Sequence, residues 1–308
     1  MTLAILCPGQ GGQHEAMFDL VVQDDVGRAT LDAASRAAGF DLLQTARGGS
    51  DLFRNALAQP LVCASAVATW AALAARVPAP SLFLGYSVGE LGAYGCAGAL
   101  SASETICLAR ARAALMDDAY AGPAGLIAIR GLSPRTVRAL CNAHGVEVAI
   151  VNGDDHHVVG GPDAGLHAAQ ASAEEAGATV QRLAVGIAPH TSLMASAAAG
   201  FRERLSESAI AAPSVAVLAG TSGALVTERA RAIDALAEQI DHTVQWARCL
   251  DAAYERGCRT FLELGPGCAL ARMVRERFPD VAARSIAEFR TLAGAAAWVA
   301  RNVDRGPR

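Results

Sequence analysis

A serine between two glycines is the first feature of the sequence that could carry out chemistry. Residues 85–89 are Gly-Tyr-Ser-Val-Gly and match the G-x-S-x-G pattern of a nucleophile elbow, a tight turn from a strand into a helix. Such a turn exposes Oγ of Ser87 at the N-terminus of the helix, whose dipole favours developing negative charge. Three apolar residues precede the motif and a helical pattern follows it. The sequence therefore predicts a nucleophilic serine, with an ordinary tight turn as the alternative.

A serine nucleophile needs a base, and the sequence offers seven histidines. His190 is the best placed, because it lies at a predicted domain junction ahead of a helix that begins near Ser192, where a side chain can face a cleft. The adjacent His156 and His157 could suggest a metal, but no further ligands accompany them. We expect no metal site.

The acid of a serine triad is not apparent. In the chain order of the α/β-hydrolases it would lie between the serine and the histidine. The candidates Asp117, Asp118 and Asp154 do not follow a predicted strand of the larger domain. This favours a Ser-His dyad oriented by another group.

Short buried strands alternate with long helices over most of the chain. The apolar strand patterns are residues 3–7, 82–84, 215–218 and 260–264. The helical patterns include residues 61–76, 88–97, 102–120, 229–240, 245–256, 268–278 and 287–302. This alternation predicts an α/β domain whose parallel sheet is covered on both faces.

The middle of the chain has a different order of elements. Strand patterns at residues 126–130, 146–151, 157–159 and 179–185 surround two helices at residues 134–144 and 163–176. The resulting βαββαβ order is that of the ferredoxin-like split unit. We therefore expect a small ferredoxin-like domain over residues 123–186, inserted into a catalytic domain formed by residues 1–122 and 187–308.

Composition excludes several classes of protein. With 52% hydrophobic and 18% charged residues, the chain is too apolar for intrinsic disorder, and we see no apolar run approaching the roughly 20 residues of a membrane span. A net charge of −4 argues against nucleic-acid binding. The sequence contains no lysine, which excludes a P-loop lysine and Schiff-base chemistry.

The cysteines and the N-terminus indicate a cytoplasmic protein. Eight scattered cysteines include no C-x-x-C pair, so neither a zinc ribbon nor a thioredoxin-like motif is expected. Only five consecutive apolar residues follow the start, without a basic flank, and this is not a signal peptide.

Seven motifs, in this order and spacing over about residues 4 to 280, resemble those of the malonyl-CoA:acyl carrier protein transacylases. They are Pro-Gly-Gln-Gly-Gly-Gln (8–13), Gly-Tyr-Ser-Val-Gly-Glu (85–90), Arg112 with Met116, Val-Asn-Gly (151–153), Pro-His-Thr-Ser-Leu-Met (189–194), Gln239 with Val-Gln-Trp (244–246), and Glu-Leu-Gly-Pro-Gly (263–267). The resemblance implies an α/β-hydrolase-like large domain with a ferredoxin-like insertion. It also implies malonyl-CoA and an acyl carrier protein with a phosphopantetheine-type arm as partners, and no cofactor.

Residue roles follow from the resemblance by position. Ser87 would be the acylated nucleophile and His190 its base, with the main-chain carbonyl of Gln239 orienting the imidazole. The backbone N–H groups of Gln10 and Val88 would form the oxyanion hole.

The resemblance also implies substrate-binding residues. Arg112 would hold the malonyl carboxylate bidentately, although from its own helix alone it would be interpreted as a surface arginine like Arg110. Asn152 and Met116 would also contact the substrate.

The sequence departs from the family pattern at three places. Tyr86 replaces the histidine beside the nucleophile, His242-Thr243 replaces Asn-Pro, and Cys268 replaces a basic residue. The first two changes and the tail at residues 283–290 resemble the epsilon subunit of malonate decarboxylase, whose acceptor is a carrier subunit. The alternatives are a malonyltransferase of fatty-acid or polyketide synthesis, a serine thioesterase or esterase, and a carrier-binding subunit with a vestigial site.

Carrier proteins of this kind are usually acidic, so we expect arginines at the mouth of the cleft. The candidates are Arg272, Arg275 and Arg277, which follow the Gly-Pro-Gly motif in one predicted helix. A solvated helix face is the alternative.

Overall fold

A computed structural model describes residues 2–303 of the chain. Its strands are β1 (Thr2–Cys7), β2 (Leu82–Gly85), β3 (Ala124–Arg130), β4 (Glu147–Val151), β5 (His156–Pro162), β6 (Thr179–Arg182), β7 (Val217–Leu218), β8 (Leu225–Val226), β9 (Cys258–Glu263) and β10 (Ala282–Ser285). Its helices are α1 (Asp25–Ala38), α2 (Leu42–Arg47), α3 (Asn55–Leu73), α4 (Gly89–Cys96), α5 (Ala102–Asp118), α6 (Pro134–His144), α7 (Asp163–Glu175), α8 (Ala195–Glu207), α9 (Arg229–Asp241), α10 (Trp246–Glu255), α11 (Ala269–Arg277) and α12 (Leu292–Val303).

The larger sheet has the strand order β10-β9-β1-β2-β7-β8. Its first five strands are parallel, and β8 is an antiparallel edge. The central strand β1 is buried on both faces, because Leu3 and Ile5 pack into one core while Ala4 and Leu6 pack into the other. Continuous apolar strands are what a parallel sheet covered by helices requires.

The smaller sheet is antiparallel and has the order β4-β5-β3-β6. Numbered within its own βαββαβ unit, this order is 2-3-1-4, which is ferredoxin-like. Helices α6 and α7 cover one face around Val137, Val159 and Leu166. The other face packs on the larger sheet's core through Leu126 and Val158. The predicted fold class is therefore confirmed.

The edge strand β4 of the small sheet also joins the larger unit directly. The backbone N–H of Val151 donates to the carbonyl of Val244 at 2.8 Å, and the N–H of Val244 donates to the carbonyl of Ala149 at 2.9 Å. The predicted domain boundaries stay predictions. Residue 1 and residues 304–308, which the predicted catalytic domain includes, lie outside the described residues.

One expectation about membrane spans was wrong. The segment Asn55–Arg76, 22 residues with mean hydropathy 1.5, is long and apolar enough to cross a membrane. In the structure, however, 78% of its most apolar window is buried, and α3 packs against α1, α4 and α5. The segment is therefore a largely buried helix of the larger core.

Several predicted bounds also needed correction. The predicted helix at residues 287–302 is a short 3-10 turn at Ile286–Glu288 followed by α12. Strand β6 ends at Arg182 rather than at residue 185, and α3 begins six residues before the predicted residue 61. The short strand β10 and the edge strand β8 were not anticipated.

The carboxyl ends of the parallel strands converge on one edge of the larger sheet, where ligands of open α/β sheets bind. The loop with Gln10 follows β1, Ser87 follows β2, Gly220 follows β7 and the Gly-Pro-Gly segment follows β9.

Candidate active site

The backbone around Ser87 has the geometry of a nucleophile elbow. Ser87 has a φ of 53°, a left-handed conformation that non-glycine residues adopt at a cost and mainly at functional sites. The glycines are required by close approach: a Cβ at Gly85 would lie 2.1 Å from the backbone of Glu90, and a Cβ at Gly89 would lie 2.2 Å from the carbonyl oxygen of Cys7. The turn therefore holds Ser87 at the start of α4.

His190 lies against Ser87. Oγ of Ser87 and Nε2 of His190 are 2.8 Å apart, and Nδ1 of His190 contacts the main-chain carbonyl of Gln239. Since that carbonyl can only accept, Nδ1 carries the hydrogen and Nε2 is left to accept the serine proton. His190 is held in a left-handed conformation, with φ 65°, and its own N–H donates to the carbonyl of Ile240 at 2.7 Å.

The imidazole of His190 is neutral at ordinary pH. Burial, followed by the positive charge of Arg112, lowers the pKa of His190 to about 3, while the hydrogen bond to Gln239 acts in the opposite direction. A neutral imidazole beside a serine hydroxyl is the form that removes a proton. The pair therefore has the arrangement of a serine nucleophile with its general base.

Arg112 is a buried cation without an anionic partner among the described residues. Its side chain, on α5, is 1% exposed. Nη1 donates to Oε1 of Gln59 and Nη2 to Oε1 of Gln239, both at 2.9 Å. Burial lowers the pKa of Arg112 to about 10, so the guanidinium stays charged. A buried charge is costly unless it is paired, and both partners here are neutral amides.

A chain of amide side chains connects Arg112 to the Gln10 loop. Oδ1 of Asn55 accepts from Nε2 of Gln59 at 2.6 Å and from Nε2 of Gln10 at 3.2 Å. Asn55 and Gln59 lie in none of the seven motifs of the sequence. The only sequence signal was a long polar side chain in a mostly apolar helix; in the structure Gln59 is fully buried, and a buried amide needs specific partners.

Gln239 contacts both the Ser87–His190 pair and Arg112. Besides accepting from Arg112, its side-chain amide donates to the carbonyl of Ser87 at 2.7 Å and to Oε2 of Glu90 at 2.9 Å. The expectation for Gln239 concerned its main-chain carbonyl alone, and these side-chain contacts were not anticipated.

Gln10 lines two cavities. One, of about 580 Å³, is lined by Gln10, Asn55, Asp117 and residues 184–187. The other, of about 310 Å³, is lined by Gln10, Tyr86, Arg130, Asn152, His156 and Arg272. The structure thus places Asn152 on a cavity wall between the two sheets.

Met116 and Tyr86 pack against residues beside the site. Met116 is buried one turn beyond Arg112, where its sulfur accepts from Nε2 of Gln59 at 3.6 Å. The ring of Tyr86 packs edge-to-face against Trp246, with centroids 5.3 Å apart.

Of the three arginines predicted at the cleft mouth, only Arg272 lines a cavity beside the site. Arg277 binds both carboxylate oxygens of Asp251, at 2.6 and 2.7 Å. Arg275 binds the carbonyl of Ala283 at 2.8 Å and pairs with Glu288. All three side chains make ion pairs within the protein, that of Arg272 with Glu276, and the expectation that they receive the carrier stays a prediction. Within residues 2–303, no group of three or more His, Cys, Asp or Glu side chains could hold a metal ion.

Known proteins are similar to this chain over nearly its whole length. Residues 5–295 match the acyl transferase domain family. The malonyl CoA-acyl carrier protein transacylase of Mycobacterium tuberculosis is 32% identical over 292 residues, which cover 92% of this chain and 96% of that protein. A polyketide biosynthesis protein of Burkholderia thailandensis is 30% identical over 312 residues, which cover 99% of this chain and 26% of that protein.

Solved structures share the fold. An acyl-carrier-protein S-malonyltransferase from Burkholderia pseudomallei superposes with a TM-score of 0.91 at 32% identity, covering 96% of this chain and 100% of that one. A malonyl-transacylase solved in complex with its type II polyketide acyl-carrier protein has a TM-score of 0.92 at 26% identity, with coverage of 96% and 99%. The chain therefore belongs to the acyl transferase family, among the malonyl-CoA:acyl carrier protein transacylases.

Proposed function

We propose that this protein transfers malonyl groups from malonyl-CoA to the thiol of a carrier protein through a malonyl-serine intermediate. The observation that carries the proposal is the buried, unpaired guanidinium of Arg112, which shares Gln239 with the Ser87–His190 pair. A dyad alone fits any acyl group, whereas a buried cation beside it favours an acyl group that ends in a carboxylate.

In the first half-reaction, Oγ of Ser87 attacks the thioester carbonyl of malonyl-CoA while Nε2 of His190 takes the hydroxyl proton. The tetrahedral intermediate collapses, the C–S bond breaks, and the departing CoA thiolate receives the proton from His190. The carbonyl of Gln239 holds the imidazole in the required tautomer.

The oxyanion of that intermediate would be bound by the backbone N–H groups of Gln10 and Val88. Neither group donates a hydrogen bond to another residue within residues 2–303. Val88 follows the nucleophile directly, as one donor of an oxyanion hole does at a nucleophile elbow. Donors that are fixed before the reaction stabilise developing charge without reorganisation.

In the second half-reaction, a carrier thiol enters through the cavity lined by Asn152 and Arg272. His190 removes the thiol proton, the thiolate attacks the malonyl ester of Ser87, and Ser87 leaves with the proton returned by His190. Asn152 lines this cavity and would contact the phosphopantetheine-type arm there. Met116 would act on the substrate through Gln59 and Arg112.

The acceptor that we propose is the carrier subunit of malonate decarboxylase. Support comes from Tyr86 beside the nucleophile, from His242-Thr243 in place of Asn-Pro, and from the tail at residues 283–290. The carriers of fatty-acid and polyketide synthesis are the second candidate, because the relatives described above include transacylases and a polyketide biosynthesis protein. The reacting groups are the same in each case, so discrimination must lie in surface contacts.

Competition between the two carriers tests this assignment. A decarboxylase carrier and a fatty-acid acyl carrier protein are mixed with limiting enzyme and malonyl-CoA, and malonylation of each is followed by mass. We expect a higher kcat/KM for the decarboxylase carrier, and a preference for the fatty-acid carrier would overturn the assignment while leaving malonyl transfer intact. Hydrolysis exceeding transfer would favour a thioesterase instead.

The cytoplasm is the proposed location. All eight cysteines are free thiols and six of them are buried, which is the state that a reducing compartment maintains.

A further inference from the structure

The side chain of Gln239 has its orientation fixed from two sides. Arginine can only donate, so the amide oxygen of Gln239 must face Arg112. The amide nitrogen then faces two acceptors, the carbonyl of Ser87 and Oε2 of Glu90. Glu90 is the only side chain of the described residues that binds this nitrogen, so among the side chains it is the one that holds the nitrogen side of the amide.

The Glu90 side chain is enclosed by its surroundings. It is fully buried on α4, three residues after Ser87. Its Oε2 also accepts from the N–H of Gly220 at 3.0 Å, and a Cβ at Gly220 would lie only 2.5 Å from that oxygen. The carboxyl group is therefore clamped between the end of β7 and the amide of Gln239.

The burial of the Glu90 carboxyl group destabilises the fold, which indicates that the group has a functional role. Oε1 of Glu90 is buried and has no hydrogen-bond partner within residues 2–303. A buried polar atom without a partner destabilises the fold, whereas an apolar side chain of similar size would not. Burial raises the pKa of Glu90 to about 8, so at neutral pH the group is mainly neutral and leaves the charge of Arg112 uncompensated.

We propose that Glu90 is a positioning residue for acyl selectivity, which holds the Gln239 side chain so that Arg112 lies at the correct place relative to Ser87. The inference rests on the proposed malonyl transfer. The reach of the Glu90 oxygen performs this task, and its charge does not. The dyad depends on the main-chain carbonyl of Gln239, so loss of Glu90 should affect malonyl transfer far more than acetyl transfer.

Two conservative variants separate reach from charge. Glu90→Gln keeps an oxygen that can accept from Gln239 and Gly220. Glu90→Asp keeps the carboxyl group but withdraws it by one methylene. Rates of transfer from malonyl-CoA and acetyl-CoA are measured for both variants and divided by the fraction of enzyme that Ser87 acylation shows to be active. This division removes any loss caused by misfolding.

We expect Glu90→Asp to lower the ratio of malonyl to acetyl kcat/KM by about tenfold or more, and Glu90→Gln to stay within about threefold of the wild type. An unchanged ratio in Glu90→Asp, or equal losses in the two variants, would overturn the positioning role. Absence of malonyl transfer in the wild type would instead show that the proposed function is wrong.

A double-mutant cycle tests whether Glu90 acts through Gln239. The ratio is measured for Gln239→Ala with and without Glu90→Asp. If Glu90 works through the amide, Glu90→Asp lowers the ratio no further once the amide is gone. If the two substitutions together lower the ratio of malonyl to acetyl kcat/KM by the product of their separate effects, the inference is contradicted.

Discussion

His190 and Arg112 are joined through a single residue. The imidazole binds the main-chain carbonyl of Gln239, and the guanidinium binds the side-chain oxygen of the same residue. The positive charge of Arg112 also contributes to the low pKa of His190. Arg112, which we propose selects the acyl group, therefore also helps to keep the base neutral.

The dyad predicts strongly non-additive mutations. Ser87→Ala and His190→Ala should each lower kcat for malonyl transfer by about 10³-fold or more, and the double variant should be little worse, because nucleophile and base act as a unit. Steady-state transfer assays of the three variants measure this. A double variant that lost the product of the two single effects would show that the two residues act independently.

Arg112→Ala should change the choice of acyl group. Without the guanidinium, the malonyl carboxylate would be buried unpaired, so kcat/KM for malonyl-CoA should fall by about 100-fold or more relative to acetyl-CoA. Arg110→Ala is the matched control, since Arg110 lies on the same helix but is exposed. Acyl preference that survives in Arg112→Ala would remove Arg112 from the substrate site.

The kcat/KM of acylation should not fall in the pH range in which an ordinary histidine becomes protonated. A base with an unperturbed pKa near 6.5 would lose activity as the pH falls below that value, whereas the pKa of His190 is about 3. We expect kcat/KM to hold down to about pH 5. In Arg112→Ala, assayed with acetyl-CoA, loss of the positive charge should move the acidic limb to higher pH. A midpoint near 6.5 in the wild type would contradict the burial argument.

Glu90→Gln should make stability less sensitive to rising pH. The pKa of Glu90 is raised to about 8 by burial, so above the ordinary value of a carboxyl group the folded protein holds a proton that the unfolded chain has lost. Its contribution to the free energy of unfolding is full at acidic pH and is lost as pH rises towards and through about 8.

Between about pH 5 and 8 the wild type should therefore lose up to about 1.4 kcal/mol per pH unit relative to Glu90→Gln. Denaturant unfolding at several pH values measures the difference. Parallel curves for the two proteins would show that Glu90 titrates normally.

Local patterns were enough to predict most of the fold. The βαββαβ order was visible because glycine and proline bound each short element, as at Ser133-Pro134 and Gly177. The edge strands β8 and β10 were missed because each is short and neither lies in an apolar run like that of β2: β8 has two residues, and β10 ends in Arg284 and Ser285. The length of α3 was underestimated because its first five residues include the polar Asn55 and Gln59, whose side chains bind each other beside the site.

The site residues also differ in how far they could be predicted from local sequence. Ser87 was identified from its own five residues, because the elbow is a local structure. The burial of Arg112 depends on Gln59 and Gln239, which lie 53 and 127 residues away in sequence. No pattern within one helix encodes such contacts, so the role of Arg112 came only from the family resemblance. Glu90 was part of a quoted motif, but its contact with Gln239 exists only in three dimensions.

The mass of the intact protein after mixing with malonyl-CoA tests the central claim most directly. We predict that the wild type gains the mass of one malonyl group, that fragmentation places it on Ser87, and that a carrier thiol removes it. Ser87→Ala should gain nothing. A wild type that stays unmodified while transfer proceeds, or an adduct that persists in Ser87→Ala, would contradict the malonyl-serine mechanism.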